Sequence, residues 1–278
     1  DNFVSEYRAG RTPNPCVRCN SEVKWDAFLR KADELGCEFI ATGHYAFIER
    51  GDRERYRIRK GVDVTRDQSY VLWGVSQDAL RRTLMPLGAL LKSQVRQIAV
   101  QHGLRTADKA ESREICFVAD NDYRRFLSEY ESNRGRTFVP GDIVHENGTL
   151  LGHHDGTAFF TIGQRKGLGV TSPEPLYVQR IDVRTNRVIV GGNDSLNRAE
   201  LTVEQMNWSG RPFAHDPFIA DTKIRYLHQP ARATVIPLTE QSARVIFFEK
   251  QRAITPGQSI VFYDDDIVLG GGLIADVV

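Results

Sequence analysis

From Phe138 to the C-terminus no helical period survives beyond a turn or two, which restricts the second half of this chain to β architecture. Short β-branched segments at residues 187–190, 233–236, 243–248 and 259–263 alternate with Gly, Pro and Asn turns, the pattern of a small barrel or sandwich. The roughly 140 residues involved leave room for two such units. Residues 207–221, with Gly210, Pro212 and Pro217, read as an irregular connection near a boundary.

The first part of the chain reads differently. After Asn20, a candidate N-cap, Trp25, Phe28, Leu29, Ala32 and Leu35 recur at helical spacing, and Gly36 closes the run. Residues 37–42 (CEFIAT) predict a short buried strand that carries Cys37 inside and runs into a Gly43-His44 turn. A strand after a helix, with polar groups at the strand's C-terminal end, is the layout of an open α/β sheet. Residues 46–59 predict a hairpin in which Arg53, Arg55, Arg57 and Arg59 share one face. Further helices are expected over 76–83, over 92–102 with Val95, Ile98 and Ala99 facing inward, and over 120–130 with Tyr123, Phe126, Leu127 and Tyr130 facing inward. The expected organisation is an α/β domain with a parallel sheet over 1–119, a central small β-rich domain over 120–197 and a β-barrel over 198–278.

Composition narrows the function classes. A 41% hydrophobic chain with 37 Lys+Arg against 36 Asp+Glu is core-forming, and its net charge of +1 excludes a strongly basic nucleic-acid coat while allowing local basic patches. No apolar run approaches the ~20 residues of a membrane span. No signal peptide is visible, and 4 cysteines in 278 residues are too few for a disulfide scaffold, so a reducing, cytoplasmic setting is expected. The chain opens at Asp1 without Met, directly in what reads as the end of an amphipathic segment (Phe3, Val4, Tyr7), and is read as a fragment or processed chain.

Several residues carry candidate chemistry. Cys16 and Cys19 form a CxxC pair stiffened by Pro13 and Pro15 and placed just before a helix start, where backbone N–H groups favour a thiolate at Cys19. Zinc would need two more ligands and no second CxxC exists; redox or thiolate catalysis and an inert pair remain open beside it. Cys116 sits among Ile115, Phe117 and Val118, the surroundings of a buried structural thiol. His44 ends a strand, where a structural and a site histidine are equally expected. Residues 161–169 (TIGQRKGLG) form a Gly-punctuated loop with Arg165 and Lys166, suited to phosphate or RNA backbone, although no Walker A ending is present. His153-His154-Asp155 reads as a surface turn, not a metal site.

Taken together, GRTPNPCVRCN (10–20), ATGHYA (41–46), RDQSYVL (66–72), EICFV (114–118), TIGQRKGLG (161–169) and PGQSIVFYDDDIVLGGG (256–272) resemble the tRNA-specific 2-thiouridylase family, in its order and over nearly the whole chain. The resemblance implies the C-terminal part of a nucleotide-hydrolase-like, PP-loop ATP pyrophosphatase domain followed by the two β domains. It implies ATP-dependent 2-thiolation of the tRNA wobble uridine, the C2 oxygen being adenylated with Mg²⁺ present, and a sulfur-donor protein, either a cysteine desulfurase or a sulfur relay protein. Cys116 aligns with the persulfide carrier, and Cys19 with the partner that closes a disulfide with it or releases hydrogen sulfide. Asn14, Pro15 and Cys16 align with positions meeting the target base. His44, Arg66, Asp67, Gln68, Arg225, Tyr226 and Gln258 align with tRNA contacts, and Gly43 with an ATP contact. Arg66 stands where Lys is expected, and Cys16 where some members carry Asp.

The family's Ser-Gly-Gly-x-Asp-Ser loop is nowhere in this sequence; the Gly-Gly pairs at 191–192 and 270–272 lie in β regions. The 278 residues alone are therefore expected to be inactive. An iron–sulfur cluster on Cys16, Cys19 and Cys116 is the less favoured alternative for the thiols. The rival from another class is a zinc- or cluster-stabilised RNA-binding module without catalysis.

Overall fold

The computed structural model describes residues 1–51, 54–105, 107, 115–118, 120 and 122–278. Arg53 of the predicted arginine row and residues 112–114 before Cys116 lie outside the described residues. A first helix, α1 (Asn2–Arg8), is followed by α2 (Pro15–Arg18), a π-helical turn over Cys19–Lys24 and α3 (Trp25–Glu34). Helical structure thus begins at Pro15, six residues earlier than the sequence pattern indicates. Proline at the first helical position needs no N–H partner there. Asn20 is no cap: it is buried inside the π turn and donates from its side chain to the Val71 carbonyl at 3.0 Å. Gly36, at φ +67°, ends α3 as expected.

Strand β1 (Ile40–Ala41) pairs in parallel with β4 (Thr83–Leu84), giving the α/β part its parallel sheet. Between them lie the hairpin β2 (Ala46–Arg50) and β3 (Tyr56–Lys60), a 3₁₀ turn over Ser69–Leu72, and α4 (Gln77–Arg81), whose Ser76 cap accepts from the Ala79 amide. The helix α5 (Lys92–Gln101) forms as predicted, but it buries no residue, and Ile98 is exposed. Cys37 corrects a second expectation. The regular strand covers only two residues, and Cys37 is exposed on the connection before it.

The middle unit opens with α6 (Tyr123–Ser132), capped by Asp122, whose side chain accepts from the Arg125 amide. It continues as the sheet β6-β5-β8-β7, built from β5 (Gly141–His145), β6 (Leu150–His154), β7 (Tyr177–Asp182) and β8 (Arg187–Gly191). His153 and His154 lie in β6, not in a turn; His153 bonds Asp142 at 3.0 Å and His154 is buried against Phe160.

The last unit is a closed six-strand barrel in the order β13-β10-β11-β12-β9-β14, with β13 paired back to β14. Its strands are β9 (Asn197–Asn207), β10 (Phe218–Lys223), β11 (Ala231–Thr239), β12 (Ser242–Arg252), β13 (Ser259–Asp264) and β14 (Ile267–Val277). Alternation sets its interior: Ala233 faces Phe247 and Val235 faces Val245, all buried, while intervening residues point outward. The irregular segment after Asn207 lies inside the barrel, between β9 and β10. Strand β13 is buried on both faces for a specific reason. Ile260 and Phe262 fill the barrel, whereas Val261 and Tyr263 join the core of the α/β unit beside Tyr70, Leu72 and Trp73. At Gly271 a Cβ would lie 2.7 Å from the Trp73 ring, so glycine is what lets the indole lie on β14. The hairpin β2–β3 extends the barrel sheet through Ile267 opposite Arg59. Among the described residues no helix is long and apolar enough to cross a membrane.

Candidate active site

The segment before the cysteine pair is pinned to the barrel. The Thr12 amide donates to the Pro256 carbonyl at 2.9 Å, and the Gln258 side-chain amide donates to the Thr12 and Pro13 carbonyls at 3.0 and 3.3 Å. The Thr12 hydroxyl meets that of Thr161 at 3.2 Å, so all three units touch this one strand of chain. Tyr70, fully buried, donates its hydroxyl to the Ser259 carbonyl at 2.8 Å and is also hydrogen-bonded by Asn14. This fixes the start of α2, hence Pro15 and Cys16.

All four cysteines are free thiols. Cys16 is exposed, yet its thiol is pushed up, first by desolvation from the surrounding protein, then by Cys116 and Cys19, with the Lys24 ammonium opposing. The Cys16 thiol therefore lies within electrostatic reach of both others, across a sequence gap of about a hundred positions. Cys116 is exposed, not buried as its apolar neighbours suggest. Those neighbours act as anchors instead. Phe117 packs edge-on against Phe3 at 5.2 Å and meets Phe126 at 5.5 Å, Ile115 lines the same cluster and Val118 is buried. Cys116 thus projects from a short segment held on both sides. Among the described residues no group of three or more His, Cys, Asp and Glu side chains could hold a metal ion.

Lys24 is a site residue that pattern reading misses. Its charge reaches both Cys16 and His44. Lys24 ends the π turn over Cys19–Lys24, just before α3. His44 is buried against Trp25 at 5.4 Å and bonds the Thr42 hydroxyl at 3.0 Å; burial, then Lys24, holds its pKa down at about 4. Gly43 closes β1 beside it.

From the barrel side, Tyr226 donates to the Asp67 carbonyl at 3.1 Å and lies 6.1 Å from the Tyr70 ring. Burial, Asp67 and Cys16 raise its pKa while Arg66 lowers it, so Tyr226 joins the 66–70 turn to the cysteine pair. Arg225 is exposed and donates to the Arg252 carbonyl at 3.2 Å. Asp67 is occupied within its own turn by the Gly61 and Ser69 amides, each at 3.1 Å, and by the Ser69 hydroxyl at 2.8 Å. Gln68 accepts from the Tyr45 amide at 3.0 Å. Two arginines of the predicted face are engaged within the protein: Arg59 pairs with Glu49 and Asp266, each at 3.3 Å, and Arg55 donates to the Trp208 carbonyl.

Three family models match in order: a tRNA methyl transferase HUP domain over residues 1–120, a tRNA methyl transferase PRC-barrel domain over 124–192 and an aminomethyltransferase β-barrel domain over 198–274. The tRNA-specific 2-thiouridylase MnmA of Geotalea uraniireducens is 49% identical over 278 residues, all of this chain and 73% of that protein. The protein of the same name from Symbiobacterium thermophilum is 49% identical over 99% of this chain and 70% of its own length. That of Chlorobium phaeobacteroides is 45% identical over all of this chain and 77% of its own length. The chain belongs to the tRNA-specific 2-thiouridylase family. In this 2-thiouridylase-family chain Cys19, Cys116 and the barrel's Tyr226 each lie within electrostatic range of Cys16, whereas Cys37 is exposed on the connection before β1.

Proposed function

We propose that this protein transfers sulfur to C2 of the tRNA wobble uridine, after ATP-dependent adenylation of the C2 oxygen. The observation that carries the reading is that Cys16, a free thiol beside Asn14, lies within electrostatic range of the free thiols Cys19 and Cys116 and of Tyr226. The names of the relatives support it. Paired thiols serve sulfur transfer, whereas the methyl transfer in the domain descriptions requires none.

ATP does not fit these 278 residues by themselves. The parallel sheet has two strands among the described residues, and no Ser-Gly-Gly-x-Asp-Ser loop is present to cradle phosphates. ATP supplies the leaving group on C2, and Gly43 is the one contact proposed here; no step below runs through the nucleotide. Sulfur arrives from a donor protein as a persulfide on exposed Cys116. Its outer sulfur attacks C2, and the bond from C2 to the activated oxygen breaks, the electron pair leaving on that oxygen. The Cys19 thiolate then attacks Cys116 Sγ, the bond from Cys116 to the outer sulfur breaks, and its electron pair stays with the sulfur now on uridine. A Cys19–Cys116 disulfide remains, which a thiol reductant resets. In the variant route the same attack precedes transfer and releases hydrosulfide, which then adds to C2. Asn14, Pro15 and Cys16 meet the base, Arg66, Arg225 and Tyr226 face the RNA, and His44, buried against Trp25 and bonded to Thr42, supports that face from within. Asp67, Gln68 and Gln258, whose side chains are engaged within the protein, act by holding the 66–70 turn and the Thr12–Pro13 backbone.

The test is mass spectrometry of the chain after exposure to a persulfide donor. One added sulfur is expected on Cys116, absent in Cys116→Ser, converting without reductant to a Cys19–Cys116 crosslink that Cys19→Ser cannot form. Sulfur distributed equally onto Cys37 would count against the reading. In a mercury gel with ATP, sulfide and tRNA, the 278 residues alone are expected to give no thiolation above a Cys19→Ala control.

A further inference from the structure

Many arginines of this molecule are closed onto carboxylates. Arg11 pairs with Glu6 at 2.8 Å and Glu204 at 2.6 Å, Arg82 with Asp33 at 2.7 Å, and Arg125 with Asp120 and Glu129 at 2.6 Å each. Four arginines near the junction of the middle unit and the barrel carry no carboxylate partner among the described residues, and three of them are held in another way. Arg124 donates to the Phe159 carbonyl at 3.0 Å and lies 5.7 Å from the Phe160 ring. Arg252 donates to the Asn193 side-chain oxygen at 2.9 Å and lies 5.1 Å from the Tyr177 ring. Arg225 donates to the Arg252 carbonyl at 3.2 Å, and Arg165 is exposed on the 161–169 loop. Among the described residues none of the four makes an ion pair. Carbonyls, an amide oxygen and ring faces fix the guanidinium groups of Arg124, Arg225 and Arg252 without cancelling their charge, and Arg165 projects from the loop between them.

The four follow one another in space. A Cβ at Gly167 would lie 3.5 Å from the Arg124 guanidinium, and one at Gly163 would lie 3.9 Å from that of Arg252 and 2.8 Å from the Ala253 Cβ. The loop carrying Arg165 is therefore wedged between Arg124 and Arg252. Arg252 leads through its carbonyl to Arg225, and the next residue, Tyr226, donates to the Asp67 carbonyl and lies within electrostatic range of Cys16. Arg225 and Arg252 are near enough to repel, a cost that a bound anion would relieve. Cations spread over a helix, a loop and the barrel suit a chain of repeating charges better than one small anion.

We propose that Arg124, Arg165, Arg252 and Arg225 form one phosphate track that carries the RNA backbone from the middle unit across the barrel to the thiols. It rests on the tRNA-thiolation reading and adds the path the RNA takes, with Arg124 and Arg252 as contacts that no sequence pattern marks. The track binds backbone, so it is indifferent to base sequence.

The test is fluorescence anisotropy of labelled tRNA with the full chain between 50 and 200 mM salt. Arg124→Gln and Arg252→Gln are each expected to weaken binding roughly tenfold at the low end and to lower the slope of log K against log salt by about 1, the pair by about 2. Arg252→Lys should keep the slope, and Arg244→Gln, whose partner is Glu200 on the same barrel, should move neither quantity. If a glutamine variant fails to fold, Arg165→Gln on the exposed loop supplies the same reading. Unchanged slopes at Arg124, Arg165 and Arg252, with binding still lost in Arg225→Gln, would overturn the track and leave the thiolation reading standing. No salt-dependent tRNA binding by the unaltered chain would overturn both.

Discussion

Gln258→Glu exchanges one side-chain amide for a carboxylate of the same shape and tests what holds the cysteine pair in place. The amide donates to two carbonyls, those of Thr12 and Pro13. The substitution removes both bonds, at ~1 kcal/mol each, and sets a negative charge against two carbonyl dipoles. A total of about 2–3 kcal/mol follows, which in a barrel unit of about 80 residues lowers the thermal midpoint by roughly 8–24 °C. The loss should depend on pH. The introduced carboxyl has its folded pKa raised above the ordinary ~4.3, because the carbonyls disfavour its charged form. Folded protein then binds the proton more readily than unfolded, so the deficit is full at pH 8 and shrinks as pH falls through the folded pKa. Melts followed by circular dichroism at pH 8 and pH 5, each against the unaltered chain, measure this, with Gln258→Ala as the pH-independent reference. A deficit of equal size at both pH values, or none, would refute the claim that this amide pins Thr12 and Pro13.

His44, held at a pKa of about 4 by burial, stays neutral in the folded chain while the unfolded chain takes up a proton near pH 6.5. Stability should thus be level above pH 6.5 and fall by about 3 kcal/mol towards pH 4, and urea melts of His44→Gln should show a flatter acid limb. Cys16, its thiol pushed up by desolvation, then by Cys116 and Cys19, should alkylate more slowly at pH 7.5 than a free thiol, and Cys116→Ser should speed that labelling. Equal rates with and without Cys116, read by mass spectrometry, would contradict their proximity.

The barrel is legible in the sequence because its interior imposes a period of two, so Ala233, Val235, Val245 and Phe247 announce their own faces. The continuous run in β13 is legible as burial but not as its cause, which is a second core packed on its outer side. Residues 37–42 show the limit of local pattern: an apolar run predicts cover, yet Phe39 is exposed and Cys37 with it, since only Ile40 finds the core. The arginine row of β3 likewise looks free until Asp266 arrives from the far end of the chain. Among the candidate residues, motifs mark the cysteines, whereas the nearness of Lys24 to Cys16 and His44, and of Arg252 to the 161–169 loop, comes from tertiary packing. Neither leaves a periodic trace.

The hairpin β2–β3 has a timetable written into its register. Its ladder partner on the barrel begins at Ile267, and the neighbouring contact between Arg59 and Asp266 spans 207 positions. At roughly 5–20 residues per second, a ribosome needs about 10–40 s to make that stretch. For that time the outer edge of β3 is a row of amides and carbonyls with no strand to meet. The charges on it, Arg57, Arg59 and Lys60, are what an edge carries to discourage a stranger's strand from arriving first. The ion pairs of the finished sheet are then the afterlife of residues whose first task is to keep a nascent chain alone.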